Sequence, residues 1–409
     1  MSAVQAWAYR GHDSAGKTVK GRVDAASESA VSARLTVLGI SPMVIERASD
    51  ATGLGRDVSF KAFAKGVGLK DLAIMSRQMA TMIGSGLSRL RTLNILAEQT
   101  ESKALVTVLA LVRDDVEAGA SISDAFGKHP QAFPPIMVSM VRAGETGGFL
   151  DQALESIAEN FEKEKKLRET IRSAMTYPVI VLVLSVTAVV VMLVFIVPIF
   201  EEMFEGLGGA LPPPTQLLVY LSASMVWALP IAAVAGVLFS LWWRKNRHTD
   251  AVRRRLDPVK LKLPVFGPLL KKIAVARFSR NFSNMIGAGV PILPALKIVG
   301  ETSGNWVIEN ALETVAESVR QGQSISMPLL DQPVFPPMVT QMIAVGEDAG
   351  SLEVMLDKIA DFYEQEVEST TEQLTAMIEP LLIAFLGVVI GGMVIALYMP
   401  IFSIASIVK

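Results

Sequence analysis

The sequence predicts a mainly α-helical polytopic membrane protein with two duplicated six-helix cytoplasmic lobes, three transmembrane helices and a small N-terminal β-β-α-β domain. Three observations carry this prediction: long stretches without charge, an internal duplication, and a hydrophobic fraction of 51% in 409 residues. About a quarter of the residues in a soluble domain are charged, whereas only 19% are charged here. The apolar excess indicates that much of the chain lies in a membrane.

The composition also excludes several classes of site. The chain has no cysteine, which excludes disulfides, thiolate zinc sites and cysteine-bound iron–sulfur clusters. Its 38 basic and 40 acidic residues give a net charge of −2, a balance that is not typical of nucleic-acid-binding proteins. Nucleic acid is therefore not a predicted partner.

Three stretches are long and apolar enough to cross a bilayer, which takes about 20 helical residues. Lys and Arg flank the first and second stretches on one side, whereas the loop between these two stretches contains glutamates and no basic residue. Basic flanks stay in the cytoplasm, so this pattern sets the orientation. The predicted organisation is an N-terminal domain (1–52), a linker (53–68), a first cytoplasmic lobe (69–176), spans at 177–198, 217–243 and 379–402, an external loop (199–216), a second cytoplasmic lobe (244–378) and an external C-terminus (403–409).

An internal duplication relates the two lobes. Ser76-Arg77 recurs as Ser279-Arg280, and Gly144-Glu145-x-x-Gly148 recurs as Gly346-Glu347-x-x-Gly350. The match continues into the membrane, where Pro178 pairs with Pro380. Each copy is therefore a cytoplasmic lobe that leads into one span, and the second span returns the chain to the cytoplasm.

Helical periodicity defines the elements of the first lobe. Apolar residues recur every three or four positions from Leu72, and Gly84 and Gly86 end that helix. Further helices are expected up to Gln99, after Ser102 and after Pro135. A long amphipathic helix from residue 149 to 172 leads directly into the first span, so it predicts a rigid connection between lobe and membrane.

The N-terminal domain contains a motif that matches the sequence pattern of a nucleotide-binding loop. Residues 11–18, from Gly11 to Thr18, match the phosphate-binding pattern G-x-x-x-x-G-K-[ST]. That chemistry requires a helix after the loop, but the residues after Thr18 alternate like a strand and include a glycine. We interpret the motif as a hairpin turn, and we predict no cofactor and no catalytic residue.

Other candidate sites are few. The three histidines, His12, His129 and His248, lack the spacing of metal ligands. The repeated Glu145 and Glu347 could bind a metal or a partner, or could stabilise a helix N-terminus, where negative charge is favourable. One carboxylate is too few for calcium, so no metal site is predicted.

The assembled motifs resemble the type II secretion system F family, the inner-membrane platform proteins of type IV pilus and type II secretion machines. The likeness covers nearly the whole chain and includes both lobes and the Tyr177-Pro178 to Pro198 signature. It also rests on Tyr9-x-x-x-Asp13-x-x-Gly16-Lys17, Lys20-Gly21, Gly39-Ile40-x-Pro42, Leu69-Lys70-Asp71-Leu72-Ala73-x-x-Ser76-Arg77-Gln78 and Ala97-Glu98-Gln99-Thr100.

The resemblance implies a protein of the bacterial inner membrane that is not an enzyme. It implies a cytoplasmic hexameric ATPase bound to the lobes, pilin or pseudopilin subunits, other inner-membrane machine components and a homo-oligomer as partners. Some family members bind calcium through an acidic residue after the Gly-x-Gly break. Arg89 and Arg91 follow that break here, so no calcium site is transferred. The resemblance does not separate pilus assembly from secretion.

Two other classes compete with this interpretation, a transporter and a signalling scaffold. The cores of the three spans contain no ionisable residue, which disfavours transport. The duplicated lobes supply the predicted partner-binding residues, which are Arg77, Glu145, Arg280 and Glu347. Gly387 and Gly391 have the small-x-x-x-small spacing of close helix packing, either between subunits or against the first span, although glycine is also common in membrane helices.

Overall fold

The computed structural model describes residues 5–12, 18–25, 31–32, 35, 41–47, 66–205, 211–247 and 249–407. It divides into two compact units, Met1–Ala64 and Lys65–Lys409. The second unit contains both helical lobes and the three helices that are long and apolar enough to cross a membrane.

The described part of the first unit is an antiparallel sheet. Its strands are β1 (Gln5–His12), β2 (Thr18–Ala25) and β3 (Ser41–Arg47), in the order β2-β1-β3. His12 pairs with Thr18, so a strand follows the phosphate-loop motif where a nucleotide site would require a helix. The predicted turn itself and most of the predicted helix of the β-β-α-β domain lie outside the described residues. That domain as a whole stays a prediction.

The first lobe consists of six helices that begin and end near the predicted glycines and prolines. The first of them ends at Gly84, and Gly86 follows with a φ of +87°, a left-handed conformation that favours glycine. The long helix passes through the predicted lobe boundary without interruption, as the sequence indicated. The six helices are α1 (Leu69–Gly84), α2 (Arg89–Gln99), α3 (Lys103–Glu117), α4 (Ile122–Gly127), α5 (Pro135–Gly147) and α6 (Leu150–Val191).

The second lobe repeats these six helices and places one more in front of them. The additional helix, α9, was not predicted, because its sequence is rich in Arg and Lys and has only a short apolar stripe. It is held by Asp257, which accepts a hydrogen bond from the backbone N–H of Trp306 at 3.0 Å. The helices of this lobe are α9 (Asp250–Lys262), α10 (Phe266–Gly287), α11 (Ile292–Thr302), α12 (Trp306–Arg320), α13 (Ser326–Leu330), α14 (Pro337–Asp348) and α15 (Leu352–Ile407).

One hydrophobic core runs through both lobes. Phe126 and Phe133 stack with ring centroids 4.0 Å apart in the first lobe, and Phe278 meets Phe335 edge to face at 4.9 Å in the second. Asn160 of α6 and Asn281 of α10 are hydrogen-bonded across the lobes at 3.2 Å. The lobes are therefore packed against each other and are not separate domains on a linker.

The three membrane segments share a buried cluster at one end, and the first and third also meet at the other, where the hydroxyl of Tyr177 donates to Glu379 at 3.4 Å. The first continues from α6 through a π-helical turn (Met192–Ile196) into α7 (Val197–Glu205), and the second is α8 (Pro213–Asn246). Their shared buried cluster includes Leu193 and Leu218, and the hydroxyl of Ser222 donates to the carbonyl of Leu193 within the π turn. Most of the surface of all three spans stays exposed, so it is available to lipid or to other proteins.

Candidate functional site

Arg280 is the buried centre of an ionic cluster in the second lobe. Its side chain on α10 is 6% exposed and contacts Asp357, Asp361 and Glu364, which follow one face of α15. The Arg280 Nε to Glu364 Oε1 distance is 2.9 Å. Burial lowers the pKa of Arg280, but its hydrogen bonds and the neighbouring carboxylates outweigh burial, so the pKa lies above its ordinary value.

Arg77 forms the corresponding cluster in the first lobe. From α1 it contacts Glu155 and Glu162 on α6, the latter at 2.8 Å, and its side chain is 34% exposed. The hydrogen bond with Glu162 raises the pKa of Arg77 against a smaller effect of burial, and Glu159 adds to the favourable charge. Both clusters join the first helix of a repeat, α1 or α10, to a helix that continues into the membrane.

The burial of the two clusters differs because the lobes pack asymmetrically. Helix α6 of the first lobe lies against the second-lobe cluster, where Lys163 approaches Asp361 at 3.4 Å. Among the described residues no equivalent helix covers Arg77. Both arginines are predicted partner-binding residues, whereas their acidic partners are not. The signal was present, because Glu155, Glu159 and Glu162 recur as Asp357, Asp361 and Glu364 with the same spacing.

Glu145 and Glu347 bind short helices of their own lobes. Glu145 accepts hydrogen bonds from the backbone N–H groups of Ile122 and Ser123 at 2.8 and 2.9 Å, and its side chain is 8% exposed. Glu347 accepts from the backbone of Ile325 at 2.8 Å and likewise from the next residue. Each carboxylate therefore accepts hydrogen bonds from backbone N–H groups that have no partner within their helix. This arrangement corresponds to the predicted alternative of stabilising a helix N-terminus.

The glycines of the same repeated motif permit close packing. A Cβ on Gly144 would lie 3.0 Å from Leu150 Cα, and a Cβ on Gly346 would lie 3.0 Å from Leu352 Cα. Gly148 and Gly350 have positive φ angles of +79° and +64°. The motif thus reverses the chain and positions the start of each membrane-bound helix.

We expect Glu347→Ala to lower the free energy of unfolding by about 1–3 kcal/mol, because it leaves buried backbone N–H groups without an acceptor. Glu347→Gln keeps one acceptor oxygen and should cost less. Thermal unfolding of the purified chain in detergent measures the loss. Glu313→Ala, an exposed position on α12, is the matched control. Equal stability of Glu347→Ala and the control would contradict the capping role.

The positions of Gly387 and Gly391 are open on the side where a side chain would stand. Among the described residues, a Cβ on either glycine would meet no atom of another element within 4 Å. The third span packs instead through Met393, Ala396 and Leu397, one or two turns further along α15. The described part of the chain thus shows no close packing of these Cβ positions against the first span, and their packing against another copy stays a prediction.

No group of three His, Asp or Glu residues that could hold a metal occurs within the described ranges. The repeated residues instead form structural contacts within and between helices. A duplicated helical lobe is joined by charge clusters to helices that enter a membrane. These features define a polytopic membrane protein whose lobes are continuous with its spans.

The chain belongs to the type II secretion system F family. The model of type II secretion system (T2SS) protein F matches residues 75–198 and 278–400, and the model of its N-terminal domain matches residues 1–46. The paired match confirms the predicted duplication.

Relatives match along nearly their whole length. The chain is 41% identical to "Type IV pilus assembly protein PilC" of Myxococcus xanthus over 96% of this chain and 94% of that protein. It is 44% identical to the protein of the same name in Thermus thermophilus over 97% of each. It is 32% identical to "Type II secretion system protein F" of Vibrio cholerae over 99% of this chain and 100% of that protein.

Proposed function

We propose that this protein is the inner-membrane platform of a type IV pilus or type II secretion machine. It would couple a cytoplasmic hexameric ATPase to the extraction and polymerisation of pilin or pseudopilin subunits. The observation that carries this proposal is the pair of arginine clusters, which fix α1 to α6 and α10 to α15. Because α6 and α15 run unbroken from lobe to membrane, a displacement of a lobe would tilt or rotate its span.

The comparisons support the pilus branch of this proposal. Identity is 41% and 44% to two pilus assembly proteins, against 32% to a secretion protein F. The basic flanks of the first and second spans support cytoplasmic lobes and an external C-terminus. The exposed apolar surface of the spans supports contact with pilin helices, other inner-membrane components or further copies of this chain.

The predicted ATPase contact is best supported at Arg77. Its side chain is 34% exposed, whereas that of Arg280 is 6% exposed and that of Glu145 is 8% exposed. Glu347 is occupied by backbone donors. Substitution of Arg280, Glu145 or Glu347 would therefore also abolish assembly by destabilising the lobe. We propose that they hold the lobe in shape and that the exposed first-lobe surface around Arg77 meets the ATPase.

The decisive experiment interrupts the helix between lobe and span. Two glycines inserted after Ser173 break α6 at an exposed position, because glycine costs about 1 kcal/mol in a helix interior. We expect the variant to reach the membrane in normal amount but to assemble no surface fibres in bacteria that carry it as their only copy.

The matched control inserts two glycines after Gly119, in the exposed turn that follows α3. This insertion lengthens a connection within the lobe and leaves α6 intact, so fibre assembly should persist. Normal fibres in the Ser173 variant would contradict mechanical coupling through α6.

A further inference from the structure

A groove of about 590 Å³ lies where α6 approaches the membrane, beside α10 of the second lobe. Three arginines line it: Arg168 and Arg172 from α6, and Arg277 from α10. Its remaining wall is largely apolar and includes Ile171, Met175 and Val179. The groove therefore has a cationic rim and an apolar floor.

One carboxylate partly neutralises the rim. Glu164 accepts a hydrogen bond from Arg277 Nε at 3.0 Å, forms an ion pair with Arg277 Nη2 at 2.8 Å, and accepts a hydrogen bond from Arg168 at 2.8 Å. Arg172 is exposed and has no ion pair with a described residue. Two guanidinium groups thus share one carboxylate and the third has none, so the three arginines and Glu164 together carry a net charge of +2.

The position of the groove matches the boundary of the bilayer. The strongly apolar stretch begins at Val179, which is 51% exposed, and Arg172 precedes it by about 10 Å of helix. Ile180 is exposed to a similar degree, at 52%. Helix α6 thus brings Arg172 close to the headgroup layer, with Arg168 one turn further from the bilayer, while Met175 and Val179 lie closer to the acyl chains.

We propose that this groove binds an anionic phospholipid of the membrane. Its phosphate would contact Arg168, Arg172 and Arg277, since the planar guanidinium group suits bidentate phosphate binding. An acyl chain would lie along Met175 and Val179, which line the groove nearer the bilayer. Basic pockets beside membrane helices favour anionic headgroups, whereas a zwitterionic lipid brings its own cation and gains less.

Binding would also bridge the two lobes at the membrane surface. Arg168 and Arg172 belong to the first lobe, whereas Arg277 belongs to the second. A ligand that contacts both lobes in the folded chain stabilises their packing by mass action. The site is independent of the proposed function, since it depends on α6, α10 and the bilayer and not on an ATPase or a pilin.

The test uses the full chain in nanodiscs of phosphatidylcholine with a minor fraction of phosphatidylglycerol. Native mass spectrometry after release from the nanodisc counts the phosphatidylglycerol that stays bound. Each cation near the membrane surface contributes about a fivefold gain in affinity. The double variant Arg168→Gln/Arg172→Gln should therefore retain the lipid about 25-fold more weakly, while Arg277 and Glu164 keep the lobes joined.

The control Arg244→Gln/Lys245→Gln removes the same charge from exposed positions at the basic end of α8, which do not line the groove. It should leave retention unchanged. An equal loss in this control would assign the effect to general surface charge and overturn the site. Met175→Trp fills the groove floor with the charges kept, and it should weaken retention as well. Displacement of the lipid by inorganic phosphate would overturn the lipid assignment in favour of a soluble anion.

Discussion

Arg280→Ala is expected to lower the free energy of unfolding by roughly 3 kcal/mol, near the lower end of what the loss of one partner costs a buried ion pair. The change leaves Asp357, Asp361 and Glu364 crowded on one face of α15 without their common cation. The carboxylates are partly exposed, at 42%, 41% and 25%, which keeps the loss below the upper end of that range. Thermal unfolding in detergent, followed by circular dichroism, measures the change.

Arg77→Ala is the matched control, since it removes the same residue from the duplicated cluster. Its side chain is 34% exposed and its partners are about half exposed, so water replaces most of the lost interaction. We expect a loss of about 1 kcal/mol or less. Similar losses of unfolding free energy in Arg280→Ala and Arg77→Ala would show that burial by α6 does not make the second cluster more important for stability than the first.

Gly387→Leu/Gly391→Leu is expected to abolish detergent-stable oligomers and fibre assembly while membrane insertion persists. Leucine keeps the third span hydrophobic, so the helix still partitions into the bilayer. The large side chains prevent close approach of a second copy, because small residues are what permit backbone contact between membrane helices. Size-exclusion chromatography in mild detergent measures the oligomer, and electron microscopy of cells measures the fibres.

Val388→Leu/Ile395→Leu in the third span provides the control for this pair. Both positions are exposed, at 75% and 64%, and already carry large side chains, so leucine there closes no small-residue surface. Oligomers should survive in this variant. If they also survive in Gly387→Leu/Gly391→Leu, these glycines face lipid and the subunits meet elsewhere.

The local elements of the lobes could be predicted because each depends on a few neighbouring residues. Gly84 and Gly86 end α1, Pro135 opens α5, and the charge-free run from Val179 continues α6 into a span. Helix α9 could not be predicted in this way. Its basic sequence has little periodicity, and it is held by contacts with α12 through Asp257.

The sequence by itself determined the duplication, the three apolar helices and the family, because these follow from composition, periodicity and recurrence along the chain. Only the tertiary structure decided what the singled-out residues do. It assigned Glu145 and Glu347 to helix starts within their own lobes, and it buried Arg280 but left Arg77 partly exposed. The physical reason is that pairing and burial depend on which helices pack together. The two repeated clusters differ in burial because α6 of the first lobe covers the cluster of Arg280. No described helix covers the cluster of Arg77 in the same way.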